Sequence, residues 1–321
     1  MKFKKIALAS FALVSAMALT ACGSNSSSKK EDAVSVGIIQ YAEHDALSSS
    51  RKGFLEALKD AGYVEGENLT VDFQNAQGDQ ANLQTMVDQL AGQNDLNFAI
   101  ATPAAQALLN VDSETPAVFT AVTDPVSAGL VDSLETPGGN MTGSIDATDV
   151  EGQVEMLLKV VPEAKTVGIF YNSSEVNSEV QAKHAKEALE AAGKTVVIKT
   201  VTSTNDVQQV MTSLAGQVDA IYLPTDNTVA STAATIGEIL MDKKVPAIGS
   251  DEAYLEAVLF TYGVDYHAIG VQAGELAVEV LKGKDPADLA VKKPDTAAIA
   301  VNEEMAKALG IDSASIEELN K

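Results

Sequence analysis

Three histidines, one cysteine and 45 acidic side chains are the residues of this 321-residue sequence best equipped for chemistry, and their spacing limits what they can do. His44, His184 and His267 show no metal-ligand spacing. With Cys22 the only thiol, a Cys/His zinc cluster has no material. No Gly-x-Ser-x-Gly elbow, Walker loop or paired-glycine dinucleotide fingerprint follows any expected strand. Pro137-Gly138-Gly139-Asn140 lacks the P-loop lysine and follows a helical segment, so it reads as a turn. Acids do stand in loops, but glycoside hydrolysis needs two carboxyls at a defined separation, which spacing along a chain does not supply. These residues are better suited to binding than to catalysis, and neither a cofactor nor a metal is expected.

The groups that could hold a ligand cluster where short apolar runs end. Gln40-Tyr41-Ala42-Glu43, Thr102-Pro103-Ala104 and Thr123-Asp124-Pro125 close three runs in the first half of the chain. Tyr171-Asn172-Ser173-Ser174, Pro224-Thr225-Asp226-Asn227 and Ser250-Asp251-Glu252 close three in the second. In open parallel sheets ligands sit beyond the carboxyl ends of the strands, where helix N-termini present free backbone donors. Ser, Thr, Asn and Asp also cap helices whatever the function, so capping competes with ligand contact at each of these positions. Tyr41 and Tyr171 end corresponding strands and face each other as candidate aromatic walls. Phe119, Tyr222 and Phe260 lie inside apolar runs and are expected in the core. His184 is expected on the surface, His267 as a local cap or packing residue, and His44 close to the cleft.

The elements that position these loops follow from periodicity. β-branched runs at 34–40, 69–74, 97–101 and 117–122 alternate with helical patterns at 49–61 and 82–91, the signature of parallel α/β structure. A second series has strands near 166–171, 196–201, 220–223 and 247–249. Val36-Gly37-Ile38 matches Val167-Gly168-Ile169, and Glu56-Ala57-Leu58 with Ala61-Gly62 matches Glu187-Ala188-Leu189 with Ala192-Gly193, at one constant offset. Two similar doubly wound lobes with a cleft between them are expected.

The N-terminus bounds the compartment. Lys2, Lys4 and Lys5 precede an apolar stretch from Ile6 to Leu19, which ends in Leu19-Thr20-Ala21-Cys22. That pattern predicts a cleaved export signal over 1–21 with a lipobox, because a membrane helix needs about 20 apolar residues. Cys22 is the expected site of lipidation. Residues 22–32, rich in Ser, Asn and Lys, are expected to form a flexible tether. The net charge of −23 repels phosphate backbones and argues against nucleic acid as a partner.

Further motifs carry a family likeness: Thr123-Asp124-Pro125-Val126 with Gly129-Leu130-Val131, Pro137-Gly138-Gly139-Asn140-Met141-Thr142-Gly143, and Asp219 through Asn227. Tyr262-Gly263-Val264-Asp265-Tyr266, Gly270, Val301-Asn302 and Ala308-Leu309-Gly310 extend it. Over residues 33–311 the chain resembles the substrate-binding lipoproteins of ABC importers, in the family that includes the tryptophan-binding protein. The resemblance implies a type I periplasmic-binding-protein fold, with lobe 1 at 33–145 plus about 290–321 and lobe 2 at 146–289. It implies an extracytoplasmic, lipid-anchored monomer that hands an amino acid, tryptophan preferred, to a membrane permease. By strand-end position, Thr102, Ala104, Thr123 and Asp124 match the groups that meet a ligand carboxylate in such binders. Asp226 and Asp251 are the candidate partners of the ammonium, with Asn172 and Asn227 as neutral neighbours and Tyr41 and Tyr171 around the side chain. The fold also serves sugars, nucleosides and signals. A chain without Trp offers sugars few stacking faces, whereas nucleoside uptake or sensing stays open as the alternative.

Overall fold

The computed structural model describes residues 33–320; the expected signal peptide, Cys22 and the tether lie outside the described residues. The chain runs β1 (Val34–Gln40), α1 (Asp45–Asp60), β2 (Leu69–Asn75), α2 (Gln80–Leu90), β3 (Leu96–Ile100), α3 (Thr102–Val111), β4 (Ala117–Val122) and β5 (Met141–Ile145). It continues through α4 (Val150–Val160), β6 (Thr166–Asn172), α5 (Val176–Ala191), β7 (Thr195–Val201), α6 (Val207–Ala215), β8 (Ala220–Leu223), α7 (Asn227–Ser231), α8 (Ala233–Lys243) and β9 (Ala247–Gly249). Last come β10 (Phe260–Val264), α9 (Tyr266–Leu281), β11 (Ala297–Val301), α10 (Glu303–Leu309) and α11 (Ser313–Glu317).

The first sheet has the order β2-β1-β3-β4-β5, all parallel. The second repeats it as β7-β6-β8-β9-β10 and adds β11, antiparallel, at the β10 edge. Corresponding strands therefore occupy corresponding places, as the constant sequence offset requires. Central strands such as β3 and β4 are buried along their whole length. Helices cover both faces of a parallel sheet, so its inner strands read as continuous apolar runs and not as alternation. Phe119, Tyr222 and Phe260 are fully buried core residues, as their strand-interior positions predicted.

The C-terminal region departs from the expected domain bounds. α9, placed in lobe 2 by the 146–289 boundary, packs on α1 and the first sheet, and Ile269, Ala273 and Leu276 join the first core together with Val291. Conversely β11 pairs with β10, and Met305, Ala306 and Ile316 lie in the second core, so the segment assigned to lobe 1 from about 290 belongs largely to lobe 2. Periodicity identifies an apolar face without saying which sheet it covers. The decisive feature is glycine: a Cβ on Gly53 would collide with the His267 carbonyl, and one on Gly270 with the Ser50 carbonyl. Only helices lacking those atoms can bring α1 and α9 into backbone contact. Ser50 Oγ donating to the Tyr266 carbonyl (3.0 Å) and Ser144 Oγ donating to the Ile269 carbonyl (2.7 Å) fix α9 in that place.

The chain consequently crosses between lobes three times, after β5, between β10 and α9, and before β11. No helix among the described residues is long and apolar enough to cross a membrane.

Candidate functional site

The carboxyl ends of both sheets face one another, and the first lobe's wall begins at α3. Its first intrahelical bond is Ala105 N–H to the Ala101 carbonyl, which leaves the Thr102 and Ala104 amides at the helix mouth. Pro103 has no N–H to offer. Thr102 is 2% exposed, and its Oγ1 has no hydrogen-bond partner among the described residues. Ala101, just before it, holds φ at 84°, and Ala121, near the end of β4, holds 54°. Left-handed backbone at two alanines costs free energy, and such costs collect where geometry serves a site. Thr123 follows β4 and lies beside Asp146, which follows β5. Asp124, by contrast, accepts from the Ser127 amide (3.0 Å) and hydroxyl, and so works as a local cap.

Tyr41 ends β1 and is buried, its hydroxyl donating to the Gly78 carbonyl and accepting from Gln80 Nε2, both at 3.3 Å. Burial, with the charges of Glu175 and Asp226 on the facing lobe, pushes its phenol well above the usual tyrosine range. His44 bridges the lobes: its Nε2 lies 3.2 Å from Asn227 Oδ1. Burial there lowers its imidazole pKa.

In the second wall, Asn172, Glu175, Asp226, Asn227 and Thr228 form one web. Glu175 accepts from Asn227 Nδ2 (2.6 Å), Asn227 N (3.1 Å) and Thr228 N (3.2 Å). Asp226 accepts from the amides of Asn172 (2.7 Å) and Val229 (2.9 Å). Asn172 spends its own amide on Thr228 Oγ1 and Ser174 N. Burial raises the pKa of both acids, and mutual repulsion adds to the rise at Glu175. Their oxygens are nonetheless met by backbone donors. Tyr171 is half-buried at the end of β6 and packs against the second core.

Asp251 differs from Asp226. It is 2% exposed and caps the turn at Glu252–Tyr254 through one bond from Ala253 N (2.8 Å). Burial pushes its pKa to about 6. Asp146, also 2% exposed, is raised to about 6 by burial and has one oxygen, Oδ1, without a partner among the described residues. The ion pairs of the described residues involve none of these four acids.

Sequence reasoning thus named Tyr41, Thr102, Ala104, Thr123, Tyr171, Asn172, Asp226, Asn227 and Asp251 at strand ends, where the structure has them. It missed Glu175, Asp146 and Tyr266. Glu175 stands one residue past the loop closing β6 and was within reach of the same rule. Asp146 follows a short strand, β5, hidden behind the Pro137-Gly138-Gly139 turn.

The profile of a family described as ABC transporter substrate binding protein matches residues 35–318. A curated protein of Clostridioides difficile (strain R20291), named Tyrosine-binding protein, is 39% identical over 94% of this chain and 90% of its own length. Among solved structures, an ABC domain from Streptococcus pneumoniae in complex with L-Trp superposes with a TM-score of 0.85 at 37% identity, over 90% of this chain and 99% of that one. A ligand-free, open substrate binding protein with adhesive properties from Clostridium difficile is 42% identical, over 87% of this chain and 96% of that one, yet superposes less well, at 0.66. Two α/β lobes of duplicated topology, joined by three crossings and agreeing in sequence over nearly the whole described length, place the chain in the ABC transporter substrate-binding protein family, with the type I periplasmic-binding-protein fold.

Proposed function

We propose that this chain is the extracytoplasmic receptor of an ABC importer, exported, tethered as a monomer to the membrane through lipidated Cys22, and specific for an aromatic α-amino acid with tryptophan preferred. The observation that carries the amino-acid reading is a pair of complementary groups at the carboxyl ends of the strands. Among the described residues, donors without acceptors stand at the α3 mouth, and buried acids without a basic partner stand after β5 and β9. A zwitterion supplies the missing halves of both. Its carboxylate meets the Thr102 and Ala104 amides and the Thr102 and Thr123 hydroxyls, where the helix dipole adds to the attraction. Its ammonium meets the acids, Asp251 among them. Strand ends about 4.8 Å apart put Thr123 between the two charges.

The aromatic preference draws support from two relatives, one named for tyrosine and one solved with L-Trp. Tyr41 and Tyr171, on opposite walls, supply ring faces for the side chain. Ring pairs add only about 0.5 to 1.5 kcal/mol beyond burial, so pocket shape carries most of the discrimination. Titration calorimetry on ligand-stripped protein tests the reading. Tryptophan should bind more tightly than tyrosine and phenylalanine, and indole-propionate, lacking the ammonium, far more weakly. Tighter binding of leucine, alanine or a purine nucleoside than of all three aromatics would overturn the specificity.

A further inference from the structure

Asp146, Tyr266 and Asp251 come from three different parts of the chain and meet at the hinge. Asp146 follows β5 at the first lobe crossing, Tyr266 opens α9 just after the second, and Asp251 lies in the second lobe's loop after β9. The Tyr266 hydroxyl donates to Asp146 Oδ2 at 3.0 Å, and the Asp251 carboxyl is near enough to act on both groups through its charge. One hydroxyl carries one hydrogen and cannot satisfy two carboxylates at once. The remaining carboxylate must carry a proton of its own or face its neighbour's charge.

Among the described residues no cation pairs with Asp146 or Asp251. Thr123, beside Asp146, carries only a neutral hydroxyl. Ala253 presents an amide to Asp251, and Glu252 and Tyr254 add only acidic or phenolic groups. On α9, Asp265 is occupied in capping Ala268 N. The open crevice that Tyr266 borders is lined by Asp45, Glu252 and Glu256, with Lys52 as its one basic residue. Asp146 Oδ1 is buried with no hydrogen-bond donor among the described residues.

We propose that Asp146, Tyr266 and Asp251 form the cation subsite of the cleft, and that a proton and the primary ammonium of the ligand compete for it. This rests on the amino-acid reading and adds to it two residues and a regulatory consequence. The ammonium donates to Asp146 Oδ1 and Asp251, Tyr266 keeps its bond to Asp146, and the displaced proton leaves to solvent. Burial pushes the pKa of both acids up to about 6, so a bound ammonium draws them back toward the ionised form. Affinity is therefore full above this range and falls as pH drops through it, by about tenfold per unit for one competing proton.

The test is the dissociation constant for L-tryptophan and L-tyrosine from pH 5 to pH 8, in wild type, Asp146→Asn and Tyr266→Phe. His44 also opposes binding when protonated, so each is measured again in a His44→Gln background. In that background wild-type residues at the subsite should still lose about fivefold between pH 6 and pH 5, on the way to the limiting slope of about tenfold per unit. Asp146→Asn should bind at least about tenfold more weakly at pH 7 and show a much shallower pH slope. Tyr266→Phe should move the midpoint of the loss to higher pH, because Asp146 then has one donor fewer. Melting curves separate misfolding from these effects, since a purely structural role lowers affinity equally at every pH. Flat affinity from pH 5 to pH 7, or wild-type affinity in Asp146→Asn, would overturn the subsite while leaving the amino-acid reading intact. Failure of every α-amino acid to bind wild type at any pH would overturn that reading itself.

Discussion

His44 on the first lobe and Asn227 on the second are joined by a hydrogen bond of 3.2 Å from ring Nε2 to amide Oδ1. Its direction follows from a neighbour. Asn227 gives its Nδ2 hydrogen to Glu175, so its oxygen must face the ring, and His44 must donate through Nε2–H. Glu175 in one lobe thereby sets the tautomer of a histidine in the other.

Removing this bond should weaken closure and little else. His44→Ala is expected to lower ligand affinity about three- to tenfold, in line with about 0.5 to 1.5 kcal/mol for a net hydrogen bond. The change should appear mainly in the dissociation rate, readable by stopped-flow. His44→Gln, which can still donate to Asn227, should recover part of the loss. The histidine's pKa is lowered by burial in the closed state, so closing favours its neutral form. Its contribution is present above about pH 6.5 and lost as pH falls below, and His44→Gln should lack that component.

The α3 mouth invites a second test. Ala101 at φ 84° sits where glycine is at ease, so Ala101→Gly relieves local strain at the cost of a floppier chain in the unfolded state. Thermal stability should change by less than about 1 kcal/mol. Affinity should fall, because the Thr102 and Ala104 amides lose a fixed aim. Equal or tighter binding by this variant would show that the strained residue does not serve the site.

Strand positions were legible because a buried parallel strand must be apolar throughout, and the constant offset between Gly37 and Gly168 exposed the duplication. Strand ends were legible for the same reason, which is why the ligand candidates fell at strand ends. The roles of the acids were not. Asp226 and Asp251 look alike in sequence, and only the structure shows that two amides meet the first and one the second. The lobe membership of α9 was equally hidden, because an apolar helix face is silent about its partner until Gly53 and Gly270 are seen in contact with the opposing backbone.

That contact is itself testable. Gly270→Ala places a methyl group against the Ser50 carbonyl, and two helices must move apart to admit it. Overpacking of this kind costs about 1 to 3 kcal/mol. A lowered unfolding midpoint is expected, with affinity affected through the hinge because Tyr266 opens the same helix. A stability unchanged from wild type would mean that α1 and α9 are not in backbone contact.

The two cleft aspartates should separate cleanly when stability and affinity are measured together. Asp226→Ala removes the acceptor of two buried amides, Asn172 and Val229, and with it the cap of α7. Lost capping and an unpaired amide together cost about 1 to 3 kcal/mol, so denaturant unfolding should shift clearly. Asp251→Asn keeps an oxygen for Ala253 N and removes only the charge, so unfolding should shift little. Its affinity for tryptophan should nonetheless fall by about ten- to a hundredfold, the scale of about 1.5 to 3 kcal/mol for a hydrogen bond to a charged group. Binding of indole-propionate, which has no ammonium, should be spared in Asp251→Asn. If instead Asp226→Asn abolishes discrimination between tryptophan and indole-propionate while Asp251→Asn preserves it, the ammonium rests on the second lobe's Glu175 and Asp226 web, and the hinge acids have another purpose.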